Sequence, residues 1–201
     1  MSTVAGPLTR AASVVARADE RAAQAASRLT RSRPRLARLL VGWQELTQPR
    51  WVYLAATGVC VDLGWRHGRR RGALWGFGTM MAIWNLALDL KVLTRRPRPV
   101  VPDPVSPAPG YSFPSGHAAN AAAAATVVTL LVRPVLPSTG ARYAVAAGAL
   151  AVVALTAADR VLLAAHYPSD VVAGTVLGSG LAVASYARYR SWAAHRDLAE
   201  V

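Results

Sequence analysis

Five apolar stretches, most of them near bilayer-crossing length, constrain this chain more than any other feature. They cover roughly residues 51–65, 72–93, 115–135, 143–163 and 168–186. About 20 residues of helix cross a hydrocarbon core, so the first stretch is short, and Asp62 lies within it. The buried core of a soluble protein is the competing explanation. Several long, uniformly apolar segments with few charges disfavour it. The later stretches are rich in small residues, among them Ala121 to Ala125, Gly148, Gly174, Gly178 and Gly180. Such residues let helices approach closely in lipid. Neither strand-like alternation nor an internal repeat is evident. The expected fold is all-α: a polytopic membrane helix bundle of about five transmembrane helices, preceded by an amphipathic or polar N-terminal arm.

The charge follows the connections. The 201 residues carry a formal charge of +13, and Lys91 is the only lysine. Arginines cluster between the apolar stretches, as in residues 66–71, 95–98 and 133–142. That distribution points to a bilayer surface or an anionic substrate rather than nucleic acid, which calls for a basic stripe with interleaved aromatics on a soluble fold. Cys60 stands alone inside an apolar stretch. It excludes an internal disulfide framework and reads as a small buried hydrophobe. Residues 1–49 form an arginine-rich arm; within it 11–29 have helical spacing but too many charges to span, and 36–46 suit an interfacial amphipathic helix. A solvated arm is the alternative for residues 1–30. Residues 1–35 hold no continuous apolar run of the kind a secretory signal needs. Residues 50–187 make the bundle, and 188–201 a polar C-terminal tail.

Chemistry-bearing residues collect at the ends of the apolar stretches, in 91–99 (KVLTRRPRP), 114–117 (PSGH) and 160–170 (RVLLAAHYPSD). If crossings alternate, the end of the second stretch, the start of the third, the end of the fourth and the start of the fifth share one membrane face. Singly, each element has a plain explanation. Pro114 to His117 could be a loop and helix cap, and Lys91 and Arg98 could be snorkelling side chains. Arg160 could be a positive flank, and His166 with Asp170 an ordinary helix start. Together they place two imidazoles, a carboxylate and three cations at one end of an apolar bundle. Such a gathering is costly unless it is used.

These elements resemble the signature of the type 2 phosphatidic acid phosphatase superfamily, which includes membrane lipid phosphatases, soluble bacterial acid phosphatases and vanadate-dependent haloperoxidases. Lys91, Arg98 and Pro99 match its first motif, Pro114, Ser115, Gly116 and His117 its second, and Arg160, His166 and Asp170 its third. Two features depart from the pattern. Asp159 stands where the family usually has serine, and the family often has six spans. A carboxylate facing bound phosphate would repel it, so Asp159 is expected to turn away or to neutralise Arg96 or Arg98.

The resemblance implies a division of labour. His166 would be the nucleophile, forming a phosphohistidine. Asp170 would orient it through the other ring nitrogen, as the acid does in serine-hydrolase triads. His117 would protonate the leaving oxygen and then activate water. Lys91, Arg98 and Arg160 would hold the phosphoryl oxygens, with Ser115 and Gly116 offering a helix N-terminus to the anion. Three cations make a metal unnecessary, and no cofactor is expected. The implied activity is hydrolysis of the phosphate or diphosphate of a membrane lipid: a prenyl phosphate or diphosphate, phosphatidate or phosphatidylglycerol phosphate. A haloperoxidase-like oxidoreductase and a non-catalytic phospholipid-binding protein are the alternatives. The expected setting is a bacterial plasma membrane. The positive-inside tendency favours a cytoplasmic site, because the arginine-rich arm shares its side; if the amphipathic stretch of the arm dips across, the site faces outward instead.

Overall fold

The structure, a computed structural model, describes residues 7–199, with side chains from 12 to 195. Among these residues it is entirely helical: α1 (Pro7–Arg31), α2 (Pro34–Leu46), α3 (Pro49–Arg66), α4 (Arg70–Thr94), α5 (Gly116–Val132), α6 (Thr139–Leu162) and α7 (Pro168–Ala199). Each of the five apolar stretches forms one of the helices α3 to α7. Helix α7 runs on past residue 186 to Ala199.

Local chemistry sets the boundaries. Pro34, Pro49 and Pro168 open α2, α3 and α7, where a proline lacks only an N–H that had no intrahelical partner. Ser115 and Ser138 cap α5 and α6, their side chains accepting from Ala118 N–H and Ala141 N–H. Helix α4 stops at Arg95, whose φ of 47° is left-handed, and Pro97 and Pro99 prevent its continuation.

Helix α5 is the central element and packs against α3, α4, α6 and α7. Ala118 to Ala124 are all buried, so the flat alanine surface lets neighbours close in on several sides. The tightest approach is to α7. A Cβ added at Gly174 would lie 2.5 Å from the Ser115 carbonyl oxygen, and one at Gly178 would collide with that of Ala119. Only glycine fits at these two positions, and this contact sets the spacing of the α5 and α7 N-termini. A larger set of side chains from α3, α4 and α5 packs together in the core: Tyr53, Cys60, Met80, Ile83, Val127 and Leu131. The Tyr53 hydroxyl is held between Asn120 Oδ1 at 2.6 Å and the Met80 carbonyl at 2.9 Å.

Helices α6 and α7 are long and apolar enough to cross a membrane, and α5 is a shorter apolar helix. Only 17% of the most apolar window of α6 and 28% of that of α7 is buried. A soluble core helix would be mostly covered. An apolar helix with its outer face bare, as at Leu150, Leu155, Val172 and Val176, suits hydrocarbon around it. Asp62, the charge inside the first stretch, pairs with Arg66 at 2.6 Å on an exposed face of α3. In the arm, α1 lies against α6 and α7, and α2 lies against α6.

Candidate active site

The C-terminal ends of α4 and α6 and the N-terminal ends of α5 and α7 meet at one end of the bundle. Main-chain bonds hold them there. Ser115 N–H donates to the Asp170 carbonyl at 3.0 Å, joining the start of α5 to the start of α7. The connection from α4 to α5 folds back onto its own origin: Ser112 N–H donates to the Arg96 carbonyl at 2.8 Å, and Thr94 Oγ1 donates to that of Phe113 at 3.0 Å. After α6, the turn through Ala164, with a φ of 50°, brings Ala165 N–H and His166 N–H back to the Arg160 carbonyl. His166 is thereby held between α6 and α7, almost fully buried.

The imidazole of His166 has a defined tautomer. Arg98 Nη1 lies 3.1 Å from its Nε2. A guanidinium only donates, so Nε2 must present its lone pair and the proton belongs on Nδ1. That nitrogen faces Asp170 Oδ2 at 3.6 Å, just beyond hydrogen-bond range. Burial, together with the charges of Arg98 and Lys91, pushes the imidazole down to about 4, although Asp170 acts in the opposite direction. A neutral ring with an outward lone pair results.

Asp170 is fixed from three directions. Its Oδ2 accepts from Tyr167 N–H at 2.9 Å, the reach-back of a carboxylate in the first turn of a helix. Its Oδ1 accepts from Arg96 Nη1 at 2.7 Å. Its main-chain carbonyl takes the Ser115 bond.

Around this pair stand the other residues that the sequence singles out. His117 is the second residue of α5; its Nε2 is buried without a protein partner, and it lies within electrostatic range of Arg160, His166, Arg98 and Lys91. Lys91 donates to the Tyr111 carbonyl at 3.0 Å, and its Cε passes 3.8 Å from where a Cβ on Gly116 would be. Arg98 also donates to the Ala165 carbonyl at 2.6 Å and to that of Pro109 at 3.1 Å. A cleft of about 860 Å³ walled by the loop after α4 ends at Arg98, Ala164 and Ala165. Neither His117 nor His166 lines this cleft, whereas Arg98 does.

Asp159 is fully buried and pairs with the adjacent Arg160, accepting from Nε at 2.8 Å and from Nη2, so the charge it neutralises is neither Arg96 nor Arg98. A guanidinium next in sequence is the nearest charge that can compensate a carboxylate desolvated at this depth. Gln44 Oε1 accepts from the same Arg160 Nη2 at 2.8 Å, so α2 also contributes to the site. The Arg96 role is likewise taken by other carboxylates. Arg96 Nη2 donates to Asp19 Oδ2 of α1 at 2.7 Å while Nη1 holds Asp170. Asp19, Gln44 and Ser169 are not among the residues that the sequence singles out, and Arg96 enters there only as a possible partner of Asp159. Arg96 belongs to the RRPRP run and stood open to notice, whereas nothing distinguishes Asp19 among the charges of an alanine-rich helix.

The chain is 33% identical over 132 residues to the decaprenylphosphoryl-5-phosphoribose phosphatase of two Mycobacterium tuberculosis strains, covering 64% of this chain and 66% of theirs. The match thus spans just under two thirds of those relatives. The fold is similar to the crystal structure of a transmembrane PAP2-type phosphatidylglycerolphosphate phosphatase from Bacillus subtilis, with a TM-score of 0.81, 24% identity and coverage of 89% of this chain and 87% of that one. The family model of the PAP2 superfamily matches residues 73–193, which contain all three motifs. With more than half of its length matched by that model, this protein belongs to the PAP2 superfamily.

Proposed function

We propose that this protein is an integral membrane phosphatase that hydrolyses a lipid phosphate or diphosphate through a phosphohistidine on His166. The observation that carries this reading is the orientation of His166: Nε2 presents a lone pair beside Arg98 and Nδ1 faces Asp170. A substrate phosphate drawn to Lys91, Arg98 and Arg160 would take over the guanidinium of Arg98 and expose Nε2 to phosphorus. In the first step Nε2 attacks phosphorus and the bond to the lipid oxygen breaks. That oxygen takes a proton from His117, whose buried Nε2 has no other protein partner. In the second step water gives a proton to His117 and attacks phosphorus. The N–P bond breaks, inorganic phosphate leaves, and His166 is restored. Asp170 stabilises the imidazolium character that develops on the phosphorylated ring. The cations act where charge spreads over the equatorial oxygens, the main source of catalysis in phosphoryl transfer.

A prenyl-anchored phosphate is the favoured substrate, because the curated relatives act on a decaprenyl-linked phosphoribose and the bundle leaves its apolar flank open to lipid. The decisive experiment is phosphate release by purified protein in detergent, with EDTA present. The panel comprises prenyl phosphates and diphosphates, a prenyl-linked sugar phosphate, phosphatidate and phosphatidylglycerol phosphate. The expected result is turnover of a prenyl substrate and none by His166→Ala; equal turnover by that variant would sink the mechanism. We place the site on the cytoplasmic side, with the arm. A single cysteine introduced into the 101–108 loop of a Cys60→Ser protein tests this, since labelling by an impermeant thiol reagent on intact cells would reverse the assignment.

A further inference from the structure

Helix α1 buries a carboxylate at the active end of the bundle. Asp19 is buried, with 3% of its surface exposed. It accepts from Arg96 Nη2 at 2.7 Å, from Ser169 N–H at 3.1 Å, and from the Ser169 hydroxyl. Arg96 uses its other prong on Asp170 Oδ1 and on Ser169 Oγ, both at 2.7 Å, and its guanidinium lies 4.4 Å from the Tyr167 ring centre. Burial opposes the charge on Asp19, yet the bonds from Ser169 and Arg96 outweigh it and hold the carboxyl below its ordinary range. Two carboxylates separated by 151 positions therefore share one guanidinium. A planar fork gripped on both prongs has little freedom to rotate, and neither has the carboxylate it holds.

We propose that Asp19 and Arg96 are positioning residues for the His166–Asp170 pair: α1 supplies the carboxylate that fixes Arg96, and Arg96 fixes the Asp170 carboxylate opposite His166 Nδ1. The arm is then a working part of the site rather than a solvated extension. This inference rests on the phosphohistidine reading above. Neither residue touches the reacting atoms in it. Their effect reaches phosphorus through Asp170 and His166, and belongs to the chemical step rather than to substrate binding.

Four variants test it, measured for kcat and KM on the best substrate of the panel, with circular dichroism to check folding. Asp19→Ala and Arg96→Lys should each lower kcat by about tenfold or more, the scale of a sub-ångström misplacement of reacting groups, with KM within about twofold. Arg96→Lys keeps the charge and loses the fork, so it carries the test if Asp19→Ala folds poorly. Asp19→Asn retains an acceptor for Arg96 and should recover most of the lost kcat. Glu20→Gln is the control. Glu20 ties the same helix to the Tyr167 hydroxyl at 3.2 Å without touching Arg96, and its kcat should stay within about twofold of the parent. An unchanged kcat in both Asp19→Ala and Arg96→Lys overturns the proposal. So does an equal fall in Glu20→Gln, or a loss confined to KM. Turnover by His166→Ala would instead overturn the phosphohistidine reading itself, so the two failures are distinct.

Discussion

Replacing Gly174 by alanine tests the contact that sets the spacing of the site. The added Cβ would stand 2.5 Å from the Ser115 carbonyl oxygen and 3.3 Å from Ala119 N. Ordinary carbon–oxygen contact begins near 3.4 Å, so α5 and α7 must part by roughly 0.9 Å at this level. The obstacle is main chain, which no rotamer change relieves. Overpacking of this kind costs about 1–3 kcal/mol, partly offset by the gain of up to about 1 kcal/mol from placing alanine in a helix. The displacement falls on Ser115, whose N–H is tied to Asp170 and whose neighbour but one is His117. A shift near 1 Å between reacting groups lowers turnover by about 100-fold. Gly180, six residues further along α7, faces open space, and Gly180→Ala receives the helical gain alone. The assay pairs kcat for phosphate release with the thermal midpoint in detergent. Gly174→Ala should lose most of its turnover and melt several degrees below Gly180→Ala. Equal kcat and equal midpoints in the two variants would show that this contact does not position the catalytic groups.

Three further outcomes are expected. His166→Ala should abolish acid-labile protein phosphate, while His117→Ala should still form it from a substrate whose leaving oxygen needs no proton; labelled phosphate retained on His166→Ala would exclude that nucleophile. In protein carrying labelled histidine, the His166 imidazole resonance should move near pH 4, because the buried neutral ring resists protonation until well below its ordinary 6.5; a midpoint near 6.5 would contradict the burial argument. Asp159→Ser should leave turnover intact and lower KM severalfold, since it frees the Arg160 guanidinium from a carboxylate while Gln44 still orients it; a raised KM would show that the pair is needed to aim the cation.

Much of this arrangement was legible from residue pattern alone. Apolar runs marked all five helices from α3 to α7, because length and composition decide where a segment can sit in hydrocarbon. Ser115 and Pro168 announced the helix starts that carry His117 and Asp170. What escaped was which charges pair. Asp159 binds Arg160, the next residue of α6, rather than Arg96 or Arg98, a pairing that the divergence of successive helical side chains argues against. Asp19 and Gln44 were unreadable for a different reason. Their partners lie 77 and 116 positions away, and helical periodicity carries no information about which solvated-looking charge will be covered.

The bond from Ser115 N–H to the Asp170 carbonyl has a practical consequence. It is made by peptide atoms, and therefore does not depend on which side chain stands at position 170. A variant stripped of that carboxylate keeps the seam between the second and third motifs closed. What such a variant loses is confined to the carboxylate's own contacts, with Tyr167 N–H, Arg96 and His166, so its defect reports those contacts rather than a parted seam.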